Sequence, residues 1–210
     1  TVLQSRISQI RESATKNSFQ NGELLSLAKD CIYQKADKDL LHQLLDISHL
    51  STISSHVQKT KQVDMWFNYL SEIIQLSGFN VGYLLKQRAE KYKEKIAFFV
   101  IKNGKTSNIS YSSLWKKIIE IGKGVASFSN RDLKPTIGLL THNQPKGALV
   151  DLACLSFGFK IIPIPLNSTS EHASYIINHS EISHLFIGGE NAEKIWNDIR
   201  HSHDIVTITM

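Results

Sequence analysis

Apolar residues in the first third of the chain recur at helical spacing, whereas further along helical stripes alternate with short continuous apolar runs. Leu24, Leu27, Ala28, Cys31 and Ile32 mark one helical face, and Leu40, Leu41, Leu44 and Leu45 mark a second. A third helix is predicted over residues 64–77, where Trp66, Phe67, Leu70, Ile73 and Ile74 share a stripe and Gly78 sits where a left-handed residue ends a helix. Between the second and third helices, HLSTISSHVQKTKQ is polar and hydroxyl-rich and reads as a loop or weak helix. Residues 1–79 thus read as a helical extension.

Asn80 is placed to cap a further helix in which Val81, Leu84, Leu85, Arg88 and Tyr92 trace one face. KIAFFVI, Asn103-Gly104 and TSNIS then predict a hairpin, because Asn-Gly readily supplies the positive φ angles of a tight turn. A helix capped by Ser110 is predicted over 111–127, with Leu114, Ile118, Ile121 and Val125 in register. Four apolar runs follow, TIGLLT, KIIPIPL, SHLFI and DIVTIT, separated by helices over 144–157, 170–179 and 192–200. Strand and helix in alternation predict right-handed crossovers and a parallel sheet covered on both faces. The fold class is therefore α/β: a helical N-terminal unit, then a mostly parallel, doubly wound sheet with a β-hairpin over residues 80–210.

Within that pattern, KGALVDLACLSF is apolar almost all round and reads as a buried helix. Pro163 and Pro165 sit two apart in one run, so two backbone donors are missing on the same flank. Either that flank has no neighbouring strand or the chain is leaving the sheet. Ligands of open α/β sheets collect at the carboxyl ends of the strands, which places this exit near the expected site.

Composition narrows the functional classes. The 210 residues suffice for a real core without disulfides, and Cys31 and Cys154 both fall in apolar helical stretches, as small buried hydrophobes do. No apolar run is long enough to span a bilayer, so a reducing cytoplasmic location is expected, with peripheral membrane contact left open. The net charge of +5 is spread in lysine knots without regular aromatic interleaving, a pattern of solvated faces rather than of nucleic-acid binding. The opening on Thr1 without an initiator Met reads as a processed or excised product.

Candidate chemistry is sparse. No Walker A loop, Gly-x-Ser-x-Gly elbow, Cys-x-x-Cys or His-Glu-x-x-His occurs. Gly122-Lys-Gly124 lies inside a helical pattern, where helix packing is its expected role. His42, His49 and His56 at seven-residue spacing would stand about 10 Å apart along a helix, too far to share a metal, and read as solvent-facing. His201 and His203 are expected to favour a helix C-terminus. Asp151, amid apolar neighbours, is either a functional acid or a rim residue paired with a lysine. Ser168 and Glu171 are spaced as a capping box, a reading preferred over an anion site at Ser168, Thr169 and Ser170. Asn143, two residues before Pro145, reads as a helix cap and, standing just beyond TIGLLT, is the one substrate-binding candidate.

ISYSSLW resembles the first motif of the AMP-forming acyl-CoA and acyl-AMP synthetases, the adenylate-forming ligases: Tyr111 and Leu114 fit, and Ser113 stands where an acidic residue is usual. Gly158, Pro163, Tyr175, Ile176 and Ser180 are similar to the second motif, with departures at Phe157, Phe159, Leu166-Asn167 and His179. The resemblance covers roughly residues 80–189, and its Tyr-Ile-x-x-x-Ser-Glu form looks more like the fatty-acyl branch. It implies a ligase that joins a carboxylate to the α-phosphate of ATP and passes the acyl group to a thiol, with ATP, Mg²⁺ and CoA as cofactors of the full-length enzyme. It also implies that the phosphate loop, the adenine-binding residues and the adenylating lysine lie C-terminal to these 210 residues. The chain is then expected to be inactive alone, to bind none of those cofactors tightly, and to have as partners the remainder of its own polypeptide and a protein docking on residues 1–79. The alternative is a non-catalytic helical interaction module fused to an α/β scaffold.

Overall fold

The computed structural model describes residues 1–16, 18, 20–102, 104–129 and 134–210. They form two compact units, Thr1–Phe79 and Asn80–Met210.

The first unit is helical: α1 (Val2–Thr15), α2 (Asn21–Tyr33), α3 (Lys38–Ser48), α4 (Ser51–Val57) and α5 (Val63–Ser77). Its core gathers Ile7, Leu24, Leu27, Leu44, Ile47, Ile53 and Ile73, with Trp66 beside them. Arg6 of α1 donates to Asp30 of α2 at 2.5 Å, a half-exposed pair that fixes register more than it stabilises. The hydroxyl-rich stretch after α3 forms α4 because Ile53 and Val57, one turn apart, both reach the core. The apolar stripe of α5 divides: Trp66 and Ile73 are buried, whereas Phe67 and Ile74 face solvent. Gly78 ends α5 with φ of 65°. His42 departs from the solvent-facing expectation, since its ring packs edge-on against Phe79 at 6.0 Å; His49 and His56 are exposed.

The second unit opens with α6 (Val81–Tyr92), whose Tyr83 amide donates to Asn80 Oδ1 at 3.1 Å, a cap worth about 1 kcal/mol. Strands β1 (Ile96–Lys102) and β2 (Lys105–Ser110) pair antiparallel. Of the expected turn, Asn103 lies outside the described residues, and Gly104 follows with φ of 72°. Helix α7 (Tyr111–Ala126) begins at Ser110, whose Oγ accepts from Ser113 N. Then come β3 (Thr136–Thr141), α8 (Pro145–Phe157), β4 (Lys160–Pro163), α9 (Ser170–His179), β5 (His184–Gly188), α10 (Glu190–Ile199) and β6 (Val206–Thr209).

Strands β3 to β6 form one parallel sheet in the order β4-β3-β5-β6. Side chains alternate across it: Ile137 and Phe186 cluster with Val125, Val150 and Cys154 of α7 and α8, while Leu140, Leu185 and Ile187 cluster with Ala173, Ile177, Ala192 and Ile199 of α9 and α10. Helices thus cover opposite faces, and the path reverses between the neighbours β3 and β5, one connecting toward β4 and the other toward β6. Helix α8, apolar all round, is enclosed on a further side by α6 and α7 through Leu85, Leu114, Ile118, Leu149 and Ala153. Gly122 of α7 is buried against Phe157, so its role is close helix contact.

Three boundary expectations shift. Pro145 at the first helical position presets φ and lacks an N–H, so the cap of α8 is Gln144, not Asn143. Thr169, not Ser168, caps α9, its Oγ1 accepting from His172 N at 3.2 Å, while the Ser168 amide belongs to the preceding turn, bonded to Pro165 O. The run KIIPIPL yields only four strand residues: β4 is an edge, and Ile164 N still donates to Leu139 O at 2.9 Å while the imide nitrogens of Pro163 and Pro165 alternate to the outer flank.

Candidate functional site

A cleft of about 560 Å³, within the usual range for small-molecule sites, opens at the carboxyl ends of β3 and β4. Leu139 and Ile164 lie at its floor, Asn143 and Asp151 on the side of α8, and Pro163, Pro165 and Leu166 on the side of the departing β4. A smaller recess over Gly188, Gly189 and the start of α10 shares His142 and Leu166 with it. Together they occupy the point where the winding of the sheet reverses, the place at which two connections diverge and leave a crevice.

The turn between β3 and α8 is held by a short hydrogen-bond chain. Gln144 Nε2 donates to Thr141 Oγ1 at 2.6 Å, and the Thr141 hydroxyl lies 3.1 Å from both Gly188 O of β5 and His142 O, with one proton to give to either. Gln144 spends its amide here instead of capping α8. Glycines make the approach feasible: a Cβ on Gly147 would meet Thr141 Cγ2 at 2.8 Å, and one on Gly188 would meet Thr141 Oγ1 at 2.5 Å. Gly189, at φ of 94°, lies under the His142 ring, whose Nδ1 would be 2.7 Å from an added Cβ. The His142 ring is thereby set at the junction of cleft and recess.

Of the residues singled out in the sequence, the structure brings Asn143, Asp151, Pro163 and Pro165 to one cleft, and leaves the histidines, the cysteines and the hydroxyls at the start of α9 elsewhere. Asp151 is half-buried, on the same wall as Asn143, and makes no ion pair among the described residues. Ser170 Oγ donates to Asp198 Oδ2 at 2.8 Å and the Thr169 hydroxyl serves its cap, so these two hydroxyls are committed to structure. His203 Nε2 lies 2.8 Å from Ser174 Oγ and its ring stacks near Trp196. Both cysteines are buried: burial pushes the Cys31 thiol up to about 11, Arg6 opposing and Asp30 adding, and the Cys154 thiol up to about 12, with Asp151 adding. The Thr141–Gln144–Gly188 chain and His142 escape sequence reasoning. Their one signal is position, Thr-His-Asn-Gln and Gly-Gly each beginning on the last residue of an apolar strand.

The family described as "AMP-binding enzyme" matches residues 85–209, over half of the chain. The chain belongs to the AMP-binding enzyme family. A 96-residue stretch is 31% identical to "Fatty acyl-CoA synthetase A" of Dictyostelium discoideum, covering 45% of this chain and 14% of that protein. Solved structures of similar fold include a Mycobacterium tuberculosis fatty acyl CoA synthetase, with a TM-score of 0.54 and 16% identity over 62% of this chain and 26% of that one. They also include the inhibitor-bound N-terminal domain of FACL13 from the same organism, with a TM-score of 0.55 and 17% identity over 62% of this chain and 33% of that one. The anthranilate CoA ligase AuaEII has the fold as well, with a TM-score of 0.54 and 13% identity over 63% of this chain and 25% of that one. The chain therefore spans a small part of the length of the relatives that it matches, and its α/β architecture is that of ligases with quite different acids.

The donor set of the cleft can be weighed against the nucleotide that the family name implies. Among the described residues no three His, Cys, Asp or Glu side chains gather for a metal, and the cleft offers one carboxylate, Asp151. A triphosphate with Mg²⁺ needs clustered backbone N–H groups and cations around developing charge. The residues present do not fit it.

Proposed function

We propose that this chain is the N-terminal portion of an ATP-dependent, AMP-forming acyl ligase that activates a fatty acid through an acyl-adenylate and transfers it to CoA. The observation that carries the reading is the cleft at the reversal point, walled by Asn143 and Asp151, in a chain of the AMP-binding family whose curated relative is a fatty acyl-CoA synthetase. The part of this chain is substrate positioning. The amide of Asn143 can hydrogen-bond a carboxyl or carbonyl oxygen, and the apolar floor of Leu139 and Ile164 excludes water from the bound acid. ATP, Mg²⁺ and CoA belong to the remainder of the polypeptide, because these 210 residues contain no Gly/Ser/Thr-rich phosphate loop. The chain alone is accordingly inactive.

The test is fatty-acid-dependent exchange of pyrophosphate into ATP, comparing these 210 residues with the full-length product. Exchange by the longer protein alone supports the reading, and exchange by the 210 residues overturns the division of labour. Loss of exchange with every carboxylate tried, using the longer protein, removes the ligase reading. The exposed apolar residues Met65, Phe67, Ile74 and Leu76 of α5 favour a second role for residues 1–79, docking of a protein partner. Cross-linking through cysteines placed at Phe67 and Ile74 identifies whether such a partner exists.

A further inference from the structure

The net charge of the chain is localised. Between Lys86 and Lys105 lie seven lysines and arginines against Glu90 and Glu94 alone, a surplus equal to the +5 of the whole protein, and the remainder is balanced. Three of these cations are also gathered in space. Around the Tyr92 ring stand Arg88 Cζ at 5.6 Å, Lys91 Nζ at 5.5 Å and Lys95 Nζ at 4.9 Å, with the Tyr111 ring at 5.6 Å. The aromatic quadrupole thus offsets repulsion among three cations that would otherwise spread apart.

Directly after this cluster, β1 turns apolar side chains to solvent. A register shift between Ile96 and Phe98 sets the alternation: Ala97 and Phe98 pack onto the α7 cluster, whereas Phe99 and Ile101, two apart on one face, are 67% and 77% exposed. Their partners on β2 are Asn108 and Thr106, which cover nothing, and the exposed Lys105 ends the same hairpin. Cations that precede and follow a protruding apolar pair along the chain are complementary to a bilayer of anionic phospholipids, where phosphates lie just outside a hydrocarbon layer. Nucleic acid fits less well, since tracking a strand takes successive free aromatic faces, whereas Tyr92 is engaged and Ile101 cannot stack, which leaves Phe99 alone.

We propose that Arg88, Lys91, Lys95, Phe99 and Ile101 belong to a docking surface for an anionic phospholipid bilayer, with Phe99 and Ile101 entering the headgroup layer and the Tyr92-centred cations pairing with lipid phosphates. This goes beyond the carboxylate-activating reading and stands without it. The test is co-sedimentation of the chain with phosphatidylcholine vesicles, with and without phosphatidylserine, at low and high salt. Binding is expected only with phosphatidylserine and is expected to weaken with salt. The triple variant Lys91→Gln, Lys93→Gln, Lys95→Gln lowers partitioning roughly a hundredfold, and Phe99→Ser with Ile101→Ser lowers it by about tenfold or more. Lys105→Glu, on an exposed strand position, supplies a charge test if the triple variant melts at lower temperature. Equal binding to neutral vesicles, or anionic binding that none of these changes weakens, overturns the proposal. So does tighter retention on a single-stranded oligonucleotide than on the anionic vesicles.

Discussion

Gly122 of α7 lies against the ring of Phe157 of α8 so closely that the nearest ring atoms occupy the space a methyl group on Gly122 would need. The two helices can approach only because position 122 has no side chain. Gly122→Ala is expected to cost about 1–3 kcal/mol through overpacking, read as a lower urea midpoint. In a Phe157→Ala background the same change should be neutral or gain up to about 1 kcal/mol from helix propensity. An undiminished cost in that background would sink the packing explanation.

The link from α8 to β5 through Thr141 predicts a second pair of effects. Gly188→Ala drives a methyl group into Thr141 Oγ1 and the Gln144 side chain and should destabilise by about 1–3 kcal/mol. Thr141→Val removes the acceptor of Gln144 Nε2 and should cost about 1 kcal/mol. Thermal melts of the two variants, alone and combined with Gln144→Ala, show the coupling, and strictly additive losses would mean that the link is not cooperative.

Substitutions at the cleft separate binding from folding. If the full-length protein activates a fatty acid as proposed, Asn143→Ala is expected to raise KM for that acid about tenfold, the value of one lost hydrogen bond, with the melting temperature unchanged because Asn143 is exposed and caps nothing. Pyrophosphate exchange across a fatty-acid titration reads this directly. Unchanged KM removes Asn143 from the site.

His184 stacks on Phe128 with centroids 4.4 Å apart and an angle of 10° between the rings, and its Nδ1 lies 2.9 Å from Ser183 Oγ. Burial holds its imidazole below the usual histidine value. The unfolded chain then binds a proton more readily than the folded one, so this residue leaves stability intact above the usual histidine range and subtracts from it as pH falls through that range. Urea midpoints at about pH 7.5 and about pH 5.5 should differ less in His184→Phe than in the parent protein. An equal difference would assign the loss to other groups.

The buried thiols give a kinetic prediction. With Cys31 at about 11 and Cys154 at about 12, almost no thiolate is present at neutral pH. An aromatic disulfide reagent should modify neither in the native protein and both in urea. Rapid native labelling of one thiol would show that its unit opens locally.

What the sequence discloses depends on whether a residue acts through its neighbours along the chain or across space. The stripe on α7, the stop at Gly78 and the Asn80 cap are legible because periodicity and capping are local. The cap of α9 slips by one residue, to a neighbouring hydroxyl of similar capping ability, and the turn that places it is closed by a backbone bond from Ser168 to Pro165 that is invisible in composition. Phe67 and Ile74 belong to a good helical stripe yet face outward, because periodicity shows which residues share a face but not what lies against it. Asn143 is found from its place after a strand, whereas the Thr141–Gly188 bond joins residues 47 positions apart and has no sequence signature.

The two flanks of the parallel sheet are unequal. Along β4 the nitrogens of Pro163 and Pro165 face outward with no hydrogen to give, so a strand arriving there would find alternate rungs of the ladder missing. Along β6, Val206–Thr209 contain no proline and keep every amide hydrogen. Enlargement of this sheet is therefore directional. It is obstructed beside β4 and permitted beside β6, whether the added strand comes from the same polypeptide or from a second molecule during misfolding.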